Sequence, residues 1–114
     1  MDQKVKKQWV NELRSGVWKQ AFGELMQEYD PATGESYGEA HYCCLGVLCE
    51  TANLKYKPTD GIPEPEELDK VGLYFKFAQR LAQLNDSGQN FARIADFIEE
   101  YEEDYKDSEE IKLN

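Results

Sequence analysis

The chain has 114 residues, with 40% hydrophobic residues and a formal net charge of −10 from 13 lysines and arginines against 23 aspartates and glutamates. This apolar content is sufficient for one folded domain, and no apolar run approaches the roughly 20 residues that cross a membrane. The acidic balance excludes the basic footprint that phosphate backbones require, so direct nucleic-acid binding is not expected.

The first predicted element is an amphipathic helix over residues 4–15. Val5, Trp9 and Leu13 recur at i, i+4 and i+8, which places them on one face. Gly16 accepts the left-handed conformation that commonly ends a helix. Trp9 is interpreted as a core anchor, with stacking on a ligand as the alternative.

The next segment, about residues 20–42, loses helical periodicity. At its centre the sequence Asp-Pro-Ala-Thr-Gly (30–34) is a strong turn signal, because proline presets φ and glycine accepts positive φ. The flanking stretches 22–29 and 36–42 are rich in aromatic residues. We predict a β-hairpin-like segment, which must pack on helices because an isolated hairpin is marginal in water.

The remaining elements are predicted to be helices. Residues 43–53 are apolar almost all round, which is typical of a helix buried by its neighbours. Pro65 suits the first turn of a short helix, and residues 73–84 form another. Asn90 is a good N-cap for the last helix, which is predicted to run from residue 91 to about residue 104.

The order of these elements predicts the fold class α+β. We expect a small, mainly helical single domain over residues 1–114, with one β-hairpin-like segment (about residues 20–42) packed on four to five helices. The acidic tail at about 105–114 is expected to fray. Residues 99–110 carry eight acids and one lysine, which indicates either a solvated helix end or a surface that imitates nucleic acid or docks on a basic partner.

The region around residues 81–98 has the rhythm of a helix-turn-helix. A DNA-reading helix exposes Arg, Lys, Asn or Gln, whereas here Arg93 is the only base on the second helix. We therefore expect this helix pair to be architectural, with an exposed acidic face formed by Asp96, Glu99, Glu100, Glu102 and Glu103.

The only histidine and all three cysteines lie between His41 and Cys49. Structural zinc sites take ligand pairs from separate segments, whereas these four residues all lie in one segment, so no metal is expected. No other cofactor is expected either. A cysteine-dependent enzyme using Cys43 or Cys44 with His41 is one alternative, since a helix N-terminus lowers a thiol pKa. The simpler interpretation treats the cysteines as small buried hydrophobes, and we expect a binding protein rather than an enzyme.

Three motifs occur in order along the chain: Trp9-Val10-x-x-Leu13-Arg14-Ser15-Gly16, Tyr42-Cys43-Cys44-Leu45-Gly46-Val47-Leu48-Cys49-Glu50, and Leu84-Asn85-Asp86-Ser87-Gly88-x-Asn90-Phe91-x-x-Ile94-Ala95-x-x-Ile98. Together they resemble a family of small uncharacterised phage and prophage proteins. The resemblance implies an accessory role during infection, in the cytoplasm of the host cell. Such proteins often act by non-catalytic binding, either neutralising a host defence protein or sequestering a signalling nucleotide.

Several kinds of partner remain open. An acidic surface suits a basic host protein, whereas a pocket of aromatic residues with one arginine suits a nucleotide-like ligand through stacking and charge pairing. The turn before the last helix offers backbone amides to a small anion. A self-associating structural or regulatory protein, hence a homo-oligomer, is a further alternative, and no membrane partner is expected. The ligand-binding candidates are Trp9, Arg14, Trp18, Tyr42, Asn85 and Asp86.

Overall fold

A computed structural model describes residues 1–105 of the chain. Within them lie five helices and a two-stranded antiparallel sheet, which confirms the predicted α+β domain. The expected fraying of the tail concerns residues that, except for Tyr105, lie outside the described part of the chain. The elements are α1 (Gln3–Arg14), β1 (Met26–Tyr29), β2 (Ser36–Tyr42), α2 (Cys44–Ala52), α3 (Pro65–Val71), α4 (Phe75–Asp86) and α5 (Phe91–Tyr101).

The first helix, α1, packs its apolar face against α2 and α5. Its N-terminus is capped by the carboxylate of Asp2, which accepts hydrogen bonds from the backbone N–H groups of Lys4 and Val5. The ring of Trp9 is fully buried, and its indole N–H donates to the carbonyl of Cys44 at 2.9 Å. Trp9 is therefore a core anchor that also joins α1 to α2.

Helix α2 lies at the centre of the core, as its sequence predicts. Every residue from Cys43 to Cys49 is buried. A Cβ at Gly46 would lie 2.0 Å from the carbonyl oxygen of Leu25, so only glycine allows the two backbones to approach this closely. Asn53 ends the helix in the left-handed conformation, with φ 56°.

The hairpin is confirmed, with Met26 opposite Tyr42 and Tyr29 opposite Ser36. The register shifts between these pairs, so β2 bulges. The first strand is shorter than the predicted 22–29 because the backbone before it bonds elsewhere. In particular, the N–H of Leu25 donates to the carbonyl of Asp60 at 2.7 Å. The start of the hairpin segment is thereby attached to the connector between α2 and α3.

The last two helices, α4 and α5, form a helical hairpin. The predicted cap is confirmed: the side chain of Asn90 accepts a hydrogen bond from the N–H of Arg93 at 2.9 Å. Helix α5 ends at Tyr101, about one turn earlier than expected. Its apolar stripe is buried and consists of Phe91, Ile94, Ala95 and Ile98. None of the helices in residues 1–105 is both long and apolar enough to span a membrane.

One residue of the predicted acidic face is buried instead. Glu102 is 1% exposed, and its carboxylate lies 3.4 Å from both the Nζ of Lys6 and the amine of Met1. The expectation of an exposed Glu102 is wrong because this residue keeps the helical conformation of α5, with its N–H bonded to the carbonyl of Ile98. Its carboxylate therefore follows the buried side of the helix and meets two cations at the start of the chain. A buried carboxylate with cationic partners avoids most of the cost of burying an isolated charge.

Candidate functional site

The cysteine segment forms the start of α2, where a helix N-terminus could have activated a thiol. Cys43 caps the helix, and its Sγ accepts a hydrogen bond from the N–H of Gly46 at 3.4 Å. Burial nevertheless raises the pKa of Cys43 to about 11 and that of Cys49 to about 12, against an ordinary value of 9.0. Burial also raises the pKa of Cys44. Desolvation therefore outweighs the helix N-terminus, and the thiols stay protonated at neutral pH.

His41 does not lie in a position to activate either thiol. Its imidazole stacks on the ring of Tyr37, with the centroids 3.8 Å apart and the planes nearly parallel. Within residues 1–105, no hydrogen bond joins the imidazole to Cys43 or Cys44, and no group of three His, Cys, Asp or Glu side chains lies close enough to hold a metal ion. The geometry thus lacks the base–nucleophile contact that a cysteine enzyme uses.

Asn85, a ligand-binding candidate, is fully buried and uses its whole side-chain hydrogen-bonding capacity inside the fold. Its Oδ1 accepts from the N–H of Cys44 at 3.1 Å and from Nε2 of Gln20 at 3.0 Å. Its Nδ2 donates to the carbonyl of Ala21 at 2.8 Å and to the carboxylate of Asp86 at 3.3 Å. Asn85 therefore holds the start of α2 to the end of α4 and leaves no group for a ligand.

Asp86, the neighbouring candidate, also makes a contact within the fold. Its carboxylate accepts a hydrogen bond from the N–H of Gly23 at 2.8 Å. Together with Asn85, it attaches the segment before β1 to the end of α4. The turn expected to present amides to an anion instead connects three parts of the core.

The expected aromatic pocket with one arginine does not form. Trp9 has no exposed surface. Trp18 packs edge-on against Tyr42, with ring centroids 5.0 Å apart. Arg14 donates to the carboxylate of Asp96 at 2.6 Å and also bonds the carboxylate of Glu99. These four candidates do not line one cavity. Trp9 is buried in the core, and the charge of Arg14 is neutralised by two carboxylates of α5.

The hairpin, which contributes none of these binding candidates except Tyr42, carries a cluster of acidic side chains. We use the term acidic hairpin for residues 22–42, whose carboxylates belong to Glu24, Glu28, Asp30, Glu35 and Glu39. No lysine or arginine occurs from residue 20 to residue 54. None of the five carboxylates forms an ion pair with another described residue. Counting charges segment by segment identifies this acidic region from the sequence alone. The net charge of the whole chain does not locate it.

Two clefts flank the acidic hairpin. One, of about 370 Å³, lies beside β1 and reaches the connector at Pro58; the other, of about 300 Å³, lies beside β2 at Gly38. Glu28 lines both clefts. Tyr29 lines the first and is 58% exposed. Carboxylates around an exposed tyrosine can accept hydrogen bonds from Lys or Arg while the ring supplies apolar contact area.

Comparison of the chain with protein-family models, with curated proteins and with solved structures found no match.

Proposed function

We propose that this protein acts by non-catalytic binding and docks its acidic hairpin on a basic surface of a partner protein. The observation that supports this most directly is the set of five carboxylates that have no cationic partner in the described residues. Two of them, Glu24 and Glu28, line a cleft with the exposed Tyr29. The buried, protonated thiols of α2 favour binding over cysteine chemistry.

Electrostatics favours a basic partner over a second copy of the chain. Like charges on one hairpin repel each other, and two such hairpins brought together would add to this repulsion. A surface rich in Lys or Arg replaces repulsion by charge-assisted hydrogen bonds and accelerates the encounter. Tyr29 adds the kind of amphipathic aromatic anchor that often dominates an interface.

The setting of this interaction is part of the proposal. The three sequence motifs resemble those of small phage and prophage proteins, which supports an accessory role during infection in the cytoplasm of the host. The partner is then a host protein with a basic surface. Where this partner is a defence protein, its neutralisation benefits the phage. The acidic surface also suits imitation of nucleic acid, because a protein that binds phosphate backbones carries the complementary basic surface.

A photo-crosslinking experiment tests the docking. A photoreactive phenylalanine analogue replaces Tyr29, and the protein is incubated with host lysate at about 0.15 M salt, where long-range attraction is screened. We expect an adduct with one host protein, mapped to a segment rich in Lys or Arg, which disappears in a variant with a neutralised hairpin. That variant combines Glu28→Gln, Glu35→Gln and Glu39→Gln.

A matched control separates the hairpin from total charge. The control variant removes three exposed acids near α3, through Glu64→Gln, Glu66→Gln and Asp69→Asn. It changes the net charge by the same amount and should retain the adduct. If both triple variants lose the adduct equally, or neither does, the hairpin is not the docking surface.

A further inference from the structure

A second surface of different chemistry lies between α4 and α5, opposite in charge to the acidic hairpin. A cleft of about 210 Å³ opens there, with an apolar floor formed by Leu84, Ile94 and Phe97. Its polar lining consists of Gln89 and Arg93. Such a combination, an apolar floor with a few polar groups at the rim, is typical of sites for small ligands.

Arg93 lines this cleft and Arg80 lies over the ring of Phe97, and neither has a carboxylate partner within residues 1–105. The guanidinium of Arg80 lies 6.0 Å from the centroid of the Phe97 ring and donates a hydrogen bond to Oε1 of Gln83 at 3.4 Å. Neither Arg80 nor Arg93 forms an ion pair with any residue between 1 and 105. Arg14, by contrast, binds two carboxylates. Although the chain has 23 acids, Arg93 in the cleft lining and Arg80 over the Phe97 ring have no ion-pair partner in the described part of the chain, and together they form a local cationic site.

Arg93 also occupies a position in α5 that is unfavourable for a cation. It is the third residue of the helix, where the positive end of the helix dipole disfavours a cation. The side chain therefore sits where the helix itself offers it no stabilisation. A bound anion at this end would interact favourably with both the guanidinium and the helix N-terminus.

We propose that the α4–α5 cleft binds a small ligand made of a planar ring and an anionic group. The ring lies against Phe97, and the anionic group is held at the rim by Arg93 and Arg80 through charge-assisted hydrogen bonds. The cleft is smaller than the roughly 300 Å³ at which drug-sized sites begin, so it accommodates one ring system with its acid group facing solvent. A nucleoside monophosphate and an aromatic carboxylate share this chemistry. The site is independent of the acidic hairpin.

Backbone amide shifts in an NMR titration test this proposal. The full chain is titrated separately with adenosine monophosphate, benzoate, adenosine and inorganic phosphate, each to millimolar concentration. We expect saturable shifts around the cleft residues, from Leu84 to Phe97, with a ligand that has both a ring and a charge. Saturation by adenosine monophosphate alone identifies a phosphorylated ring, and saturation by benzoate alone identifies an aromatic carboxylate. Saturation by both supports the shared chemistry.

Substitutions of exposed arginines provide the control. Arg93→Gln should weaken binding about tenfold or more, since it removes a charged hydrogen-bond donor. Arg80→Gln should weaken it in the same direction, and Arg14→Gln should leave it unchanged. The proposal is overturned if no ring-bearing anion saturates, if adenosine or phosphate alone binds as well, or if Arg93→Gln and Arg14→Gln behave alike.

Discussion

The side-chain oxygen of Asn85 accepts a hydrogen bond from the backbone N–H of Cys44 at 3.1 Å, across 41 positions of sequence. This bond attaches the end of α4 to the start of α2, the most buried helix of the fold. A free helix N-terminus is a ready anion site, but here a neutral amide from the same chain satisfies one of its donors. The segment that looked most like an active site is therefore part of the core.

Replacement of Asn85 by alanine should destabilise the fold by about 3 kcal/mol, because several buried polar partners lose their hydrogen bonds at once. Urea unfolding followed by circular dichroism measures the change. Asn11, which is exposed on α1, provides the control, and its replacement by alanine should cost less than about 0.5 kcal/mol. Equal effects at the two positions would contradict the role given to Asn85.

Gly46→Ala should destabilise the protein by at least about 3 kcal/mol. Helix propensity alone favours alanine by about 1 kcal/mol, but the new Cβ would lie 2.0 Å from the carbonyl oxygen of Leu25. Thermal unfolding distinguishes the two effects, because helix propensity would raise the melting temperature of the Gly46→Ala variant whereas the clash lowers it. At Gly61 a Cβ has its nearest neighbour at 3.6 Å, so Gly61→Ala should change stability by less than about 1 kcal/mol. A stabilised Gly46→Ala variant would show that the two backbones can separate at little cost.

The raised thiol pKa values predict a loss of stability at alkaline pH. An unfolded chain ionises its thiols near the ordinary value of 9.0, while folded Cys43 keeps its proton up to about 11. Stability is therefore complete below pH 9.0 and falls as the pH rises towards 11, by up to about 1.4 kcal/mol per pH unit for each thiol. Urea titrations across this range measure the slope.

Thiol accessibility provides an independent check on the same residues. At about pH 8 the folded protein should react with iodoacetamide far more slowly than the urea-unfolded chain, because buried protonated thiols are poor nucleophiles. Mass spectrometry counts the adducts. Rapid alkylation of Cys43 in the folded protein would contradict the pKa argument and would favour the alternative of a cysteine nucleophile.

The acidic hairpin should be more stable when its charges are removed. Neutralising Glu28, Glu35 and Glu39 should raise the free energy of unfolding by about 0.3 kcal/mol each at low salt, because like charges within one hairpin repel. The gain should shrink as salt screens the repulsion. If the triple variant is less stable than the parent protein at low salt, the carboxylates have stabilising contacts within the chain. If the triple variant is more stable and also loses the photo-crosslinked adduct at position 29, the three carboxylates serve binding at a cost in stability.

Local signals in the sequence predicted most of the fold. The Asp-Pro-Ala-Thr-Gly turn, the cap at Asn90 and the apolar run of α2 each act within a few residues, and the structure contains all three elements. In each case neighbouring residues are sufficient to determine the local conformation.

Contacts between distant segments explain the differences from the predictions. The start of β1 depends on bonds from residues 21–25 to partners that lie far along the chain. Glu102 is buried because its cations belong to the first turns of the chain. Asn85 was a ligand-binding candidate because its partner in the core, Cys44, is 41 positions away in the sequence.

The sequence by itself determined the element types, the central position of α2 and the excess of negative charge, since periodicity, capping and composition are local or additive properties. Only the tertiary structure decided which polar groups remain free for a partner. Hydrogen bonds and ion pairs between distant segments occupy Asn85, Asp86 and Arg14. The same packing leaves the carboxylates of the acidic hairpin and the arginines of the α4–α5 cleft without ion-pair partners in residues 1–105.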